Sequence, residues 1–121
     1  MQNQFHDRFK LFVASYAKGI GLDQLLREVE KWIKDEKVAP KSIGIEFLDD
    51  TKTLIMSIGY KDDEAYEVSL TTALIGKLDL NHLEEEEKEI GAAVLKLDNI
   101  ICHELFVTDT GLLHMIFMCA K

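Results

Sequence analysis

Cysteine is almost missing from this chain: Cys102 and Cys119 are the only two. They form no C-x-x-C pair and nothing around them points to secretion, so a disulfide framework is not expected and free thiols in a cytoplasmic protein are. Proline is rarer still, with Pro40 alone, and a helix arriving there must stop. Long apolar runs are also lacking. The longest candidate, residues 112–120, is strand-length and holds His114, well short of the ~20 residues that cross a bilayer, so no membrane span is expected. Residues 1–10 carry Asp7, Arg8 and Lys10 and no apolar stretch of the signal-peptide kind. Basic residues are in deficit, 14 against 22 acidic, for a net charge of -8. Such a field repels phosphate backbones, so nucleic acid is not an expected partner. An acidic surface can dock on a basic partner, but acidity of this size is already explained by solubility.

What is present suffices for a globule. A chain of 121 residues, 47% hydrophobic and 30% charged, fits a single domain that removes roughly two-thirds of its unfolded surface from water. Leu22, Leu25, Leu26, Val29, Trp32 and Ile33 recur at three- and four-residue steps with charges between them, which predicts an amphipathic helix ending before Pro40. Residues 43–48 alternate, 49–52 supply turn chemistry, and Leu54, Met56, Ile58 and Tyr60 line one face of a returning strand, so a hairpin is predicted. Tyr66, Val68 and Leu70 open another strand. Asn81 and Glu84 have capping-box spacing ahead of Leu83, Ile90, Val94 and Leu97, which predicts a second helix to about Asp98. A terminal hairpin follows, with strands over 100–107 and 112–120 and a turn at Thr108-Asp-Thr-Gly111. Residues 9–17 fit both a helical stripe and strand alternation. Their Phe-Val-Tyr content and the Gly19-Ile20-Gly21 breaker favour a strand.

With that strand in place the order is β-α-β-β twice, over about 8–61 and 65–121, within one domain spanning 1–121. The halves align at an offset of 57 to 59 residues. Phe9 to Val13 lie against Tyr66 to Leu70, Leu22 and Leu25 against Leu80 and Leu83, and Leu54 and Met56 against Leu113 and Met115. A single β-α-β-β unit exposes a sheet face and an edge that a second unit can cover. The expectation is an α+β fold of two tandem repeats forming a mainly antiparallel six-stranded sheet, two helices on one face, with pseudo-twofold symmetry. Taken half by half, this element order is similar to that of dodecin-like flavin binders and other small assembly-forming domains. The resemblance is one of topology, without a matching motif, and transfers no residue.

Leu112, Leu113, Met115, Ile116, Phe117, Met118 and Cys119 put apolar groups on both faces of the last strand, the pattern of a strand that meets water on neither. Two helices on one face leave the other uncovered, so either the last strand is central and curled under a loop or its far face meets another subunit, and of these a homodimer through the sheet face or the last strand is expected. Chemistry is thinner. A two-residue Asp109-Thr110 turn would set residue 105 opposite 114 and leave His103 and His114 on one face, a weak candidate metal pair. Two ligands fall short of the three or four that zinc takes, and a half-buried histidine needs no metal. In that register Cys102 and Cys119 share the other face, without basic neighbours to activate them. Cys102 and His103 point apart within a strand and cannot form a nucleophile pair.

The acids at 84–87 with Glu89 complement a helix dipole and stay solvated. Asp49-Asp50 and Asp62-Asp63-Glu64 read as polar turns, and Trp32 as packing. Lys18-Gly-Ile-Gly21 lacks both phosphate-loop spacings and reads as a strand-to-helix turn. The expected function is a non-enzymatic protein-interaction or assembly module, without cofactor. A small-molecule binder with a pocket between the repeats or at a dimer interface comes second, and a small metal-dependent hydrolase third.

Overall fold

The computed structural model describes residues 8–16, 21–62, 65–108 and 111–121. The elements in chain order are β1 (Arg8–Ser15), α1 (Leu22–Glu36), β2 (Ala39–Leu48), β3 (Thr53–Lys61), β4 (Val68–Lys77), α2 (Leu83–Val94), β5 (Ile100–Val107) and β6 (Leu112–Ala120). This is an α+β chain of two β-α-β-β units. The segment with two readings is a strand: Phe9 lies opposite Gly59 and Val13 opposite Ile55, antiparallel to β3. Its chain end is fixed by Tyr16, whose N–H donates to Lys52 O at 2.7 Å.

Gly21 opens α1 with φ 109°, a left-handed conformation that costs L side chains energy. A Cβ there would stand 2.1 Å from the Ser15 carbonyl oxygen, so close approach as well as conformation demands glycine. Lys37 closes the helix with φ 55° and donates its N–H to Ile33 O. Pro40 then sits beside a β-bulge at the start of β2, where a missing N–H is tolerated. The predicted capping box of α2 does not form. His82 is the N-cap residue without a side-chain cap bond, and Asp79 does the local work by accepting the Asn81 N–H.

Hydrogen bonds join the strands as two antiparallel three-stranded sheets, β1-β3-β2 and β4-β6-β5, not as the single six-stranded sheet expected. Strands β2 and β5 lie side by side, yet no ladder links them among the described residues. The strand order is the same in both units, and each helix covers the corresponding face of its own sheet. Trp32 of α1 packs edge-on against Phe12 of β1 and Tyr60 of β3, on the Leu54, Met56, Ile58 side. Ile90 and Ala93 of α2 pack against Met115, Phe117 and Cys119.

The two helices therefore do not share one face. Ile116 and Met118, on the opposite side of β6, join Leu70 and Phe106 in the same core as α1 and the inner face of the first sheet. Unlike faces meet: the helix-bearing side of unit one stacks on the helix-free side of unit two. In this stack β6 is central and covered on both sides within one chain. That accounts for its doubly apolar sequence and removes the last strand as a dimer surface.

A polar clamp ties the stack. Glu30 Oε2 accepts the Leu70 N–H at 2.6 Å, its Oε1 accepts from Arg27 Nη1 at 2.7 Å, and Arg27 Nη2 donates to Leu70 O at 2.9 Å. Both backbone groups of Leu70 thus turn away from β6 and are satisfied by α1, which caps the open edge of β4 as a neighbouring strand would. Tyr66 adds a second tie by donating to Pro40 O.

Candidate functional site

One sheet face is left over. On β1, Phe9 is 63% exposed, Leu11 63% and Val13 62%, and strand alternation aligns all three. Their partners across the ladder are Gly59, Ser57 and Ile55 of β3, followed by Ser42, Gly44, Glu46 and Leu48 of β2. This is the helix-free face of the first sheet. Matched through the ladders, with β3 corresponding to β6 at an offset of 59, Phe9, Leu11 and Val13 correspond to Leu70, Thr72 and Leu74, of which Leu70 is buried under unit one while Thr72 and Leu74 are exposed. The surface that is bare in unit one is thus covered at its Leu70 end in unit two.

An open cavity of about 400 Å³ lies on this face, lined by Leu11, Gly44, Ile45, Glu46, Ile55, Ser57 and Glu104. Its floor belongs to the first unit and Glu104 to the second, so it straddles the seam where β2 meets β5.

The outer side of α2 differs sharply from the corresponding side of α1. At the helix offset of 58, the buried Leu26, Val29 and Ile33 become the exposed Glu84, Glu87 and Gly91. Charges there end the stack, as a polar outer face ends a repeat array. The acidic run is thus solvated except for Glu86, which faces inward.

His103 and His114 are not neighbours. The β5–β6 register sets Phe106 opposite His114 and His103 opposite Phe117, which places the two imidazoles on opposite faces of the sheet. The cause is loop length. Thr108 N–H donates to Leu112 O, so three residues separate the closing pair, with Gly111 at φ 75°. A one-residue slip exchanges the faces of every side chain. Asp109 and Thr110 themselves lie outside the described residues. His114 is buried, stacked on Phe106 at 4.9 Å, with Nε2 3.2 Å from Thr108 Oγ1. Burial pushes its pKa down. His103 is exposed and touches the edge of Phe117.

The same slip parts the thiols, both of which are free. Cys102 faces the main core, 4.0 Å from Met118 Sδ, and burial pushes its pKa up to about 11. Cys119 lies in the α2 cluster, its pKa also raised by burial. Neither is an activated nucleophile. No three His, Cys, Asp or Glu side chains gather as a metal-ligand set among the described residues.

Asp49 pairs with Lys52 in the β2–β3 turn and Asp62 with Arg8, the structural use expected of turn acids. Residues 17–20, 63 and 64, which include most of the Lys18-Gly-Ile-Gly21 stretch, are outside the described residues. The Glu30–Arg27 clamp and the inward Glu86 escaped the sequence reading, because both sit at helical positions where charge signals solvent. Compared with known proteins, the chain matches no family, no curated protein and no solved structure.

Proposed function

We propose that this chain is a non-enzymatic protein-interaction or assembly module, acting as a homodimer through the helix-free face of its first sheet. The observation that carries the reading is the row Phe9, Leu11 and Val13, each more than three-fifths exposed on a sheet whose other face is packed. A large apolar side chain gains ~1.5–3 kcal/mol on full burial, and a symmetric contact counts each residue twice. Two arrangements of copies are conceivable. A head-to-tail stack would lay the charged outer side of α2, with Glu84 and Glu87, on the apolar β1 row, and taking those charges out of water opposes it. Face-to-face pairing about a twofold meets no such barrier along the β1 row. No helix of the described residues is long and apolar enough to cross a membrane, and two free thiols fit the reducing cytoplasm.

Light scattering on the purified chain tests this. Wild type should run as a dimer, and Leu11→Lys, which alters a side chain outside both cores, should run as a monomer with unchanged far-UV circular dichroism. A monomeric wild type at high concentration would refute the homodimer.

The cavity at the seam supports a second reading, a small-molecule binder between the repeats. Its volume of about 400 Å³ is of ligand-pocket size. Native mass spectrometry showing a co-purified small molecule that Gly44→Leu removes would favour it over the assembly reading.

A further inference from the structure

A second cavity, of about 350 Å³, lies between the end of β4 and the start of α2, lined among others by Lys77, Asp79, His82, Glu85, Glu86 and Glu89. Four of these six are carboxylates. Asp79 is held below the usual carboxylate range by its hydrogen bond with His82 Nδ1 at 2.7 Å and by the Asn81 N–H, so it stays charged. Glu86 is the unusual member. It is only 9% exposed; its Oε1 accepts the Asp79 N–H at 2.8 Å, and its Oε2 is buried with no hydrogen-bond partner. A buried carboxylate oxygen without a donor is costly, and native proteins rarely leave one. The position lies on the packed side of α2, beside Ile90 and Ala93, where an apolar residue would pack without that cost.

We propose that this cavity is a binding site for an alkylammonium or guanidinium head group, with the Glu86 carboxylate as its deepest acceptor. Asp79, Glu85 and Glu89 supply further negative charge around the opening, and a turn of the Glu86 side chain toward the cavity would give its solvent-shielded Oε2 the N–H donors of a cationic head. A bare metal ion fits less well. The space holds several heavy atoms, since one water takes about 30 Å³, and the acids are not gathered as a metal-ligand set. Lys77, at the same wall, is the internal competitor, because its own ammonium is within the lining. The head group has two sources, a free small amine or a Lys or Arg side chain of a basic protein. The site uses no residue of the sheet face proposed for dimerisation, so either proposal can fail alone.

Amide chemical shifts of the full chain, followed by NMR at constant ionic strength, decide it. n-Butylammonium or methylguanidinium chloride should cause saturable shifts over residues 75–79 and 82–89, while sodium chloride causes none. Glu86→Gln keeps an acceptor for the Asp79 N–H and should weaken binding about tenfold, the worth of a charged hydrogen bond. Glu89→Gln, at the exposed rim, carries the same test with a smaller loss should the first variant fold poorly. A capped Ala-Lys-Ala peptide separates the sources: saturation by butylammonium but not by the peptide marks a free small amine, and saturation by the peptide marks a protein side chain. Three outcomes overturn the proposal. They are no saturation with any of these probes, as when Lys77 swings onto Glu86; equal affinity in both variants; or a response to calcium chloride alone.

Discussion

Replacing Glu30 by alanine removes the side chain that holds unit one onto unit two. The carboxylate is 17% exposed and accepts both the Leu70 N–H and the Arg27 guanidinium. A hydrogen bond to a charged group contributes ~1.5–3 kcal/mol. The Arg27 pair adds little, because Arg27 is half-exposed and screened by solvent. Loss of the carboxylate also strands the Leu70 N–H at an edge that no strand covers. Together these give a destabilisation of about 2–3 kcal/mol, or roughly 10 °C in Tm for a domain of this size. Glu30→Gln retains one carbonyl oxygen for Leu70 and should lose about 1 kcal/mol or less. Urea melts of both variants measure the difference, and amide exchange reads the Leu70 N–H directly. If Glu30→Ala lies within ~0.5 kcal/mol of wild type and Leu70 stays protected, the clamp does not hold the stack.

Two further outcomes follow from the buried titratable groups. The pKa of His114 is lowered by burial from an ordinary 6.5, so below about that pH the unfolded chain binds a proton that the folded chain refuses. Its contribution is complete at neutral pH and is lost as pH falls through 6.5. His114→Gln should flatten the fall in urea stability between pH 7.5 and 5.5, and an unchanged slope would show that His114 is not its source. Cys102, pushed up to about 11, has roughly one thiolate in a thousand at pH 8. Native protein should therefore resist Ellman's reagent while urea-unfolded protein gives two equivalents, and rapid labelling of the native chain would contradict the burial of Cys102.

Much of the candidate surface was legible in part. Alternation put Phe9, Leu11 and Val13 on one face of β1, but alternation is blind to whether that face is covered. Val68 and Leu70 of β4 alternate in the same way and are buried. The apolar β6 correctly signalled two covered faces, and no second subunit is needed to cover them, because the cover comes from α1 on one side and α2 on the other. The histidine pair failed for a local reason. Gly111 was a visible sign of a three-residue loop, since the last residue of such a loop takes the left-handed conformation that glycine tolerates best. Counting two residues instead of three exchanged the faces. Glu86 left no trace in sequence, because a buried acid and a solvated one occupy the same acidic run.

The amino-acid order by itself determined the eight elements and their doubling, because helix and strand differ in period and a period is a property of neighbouring residues. The three-dimensional arrangement alone decided that the units stack unlike face on unlike face, that β4 is capped by Glu30 and Arg27, and which sheet face remains bare. Those outcomes depend on contacts between residues some forty positions apart, and no local spacing records which distant surface arrives to cover an apolar row.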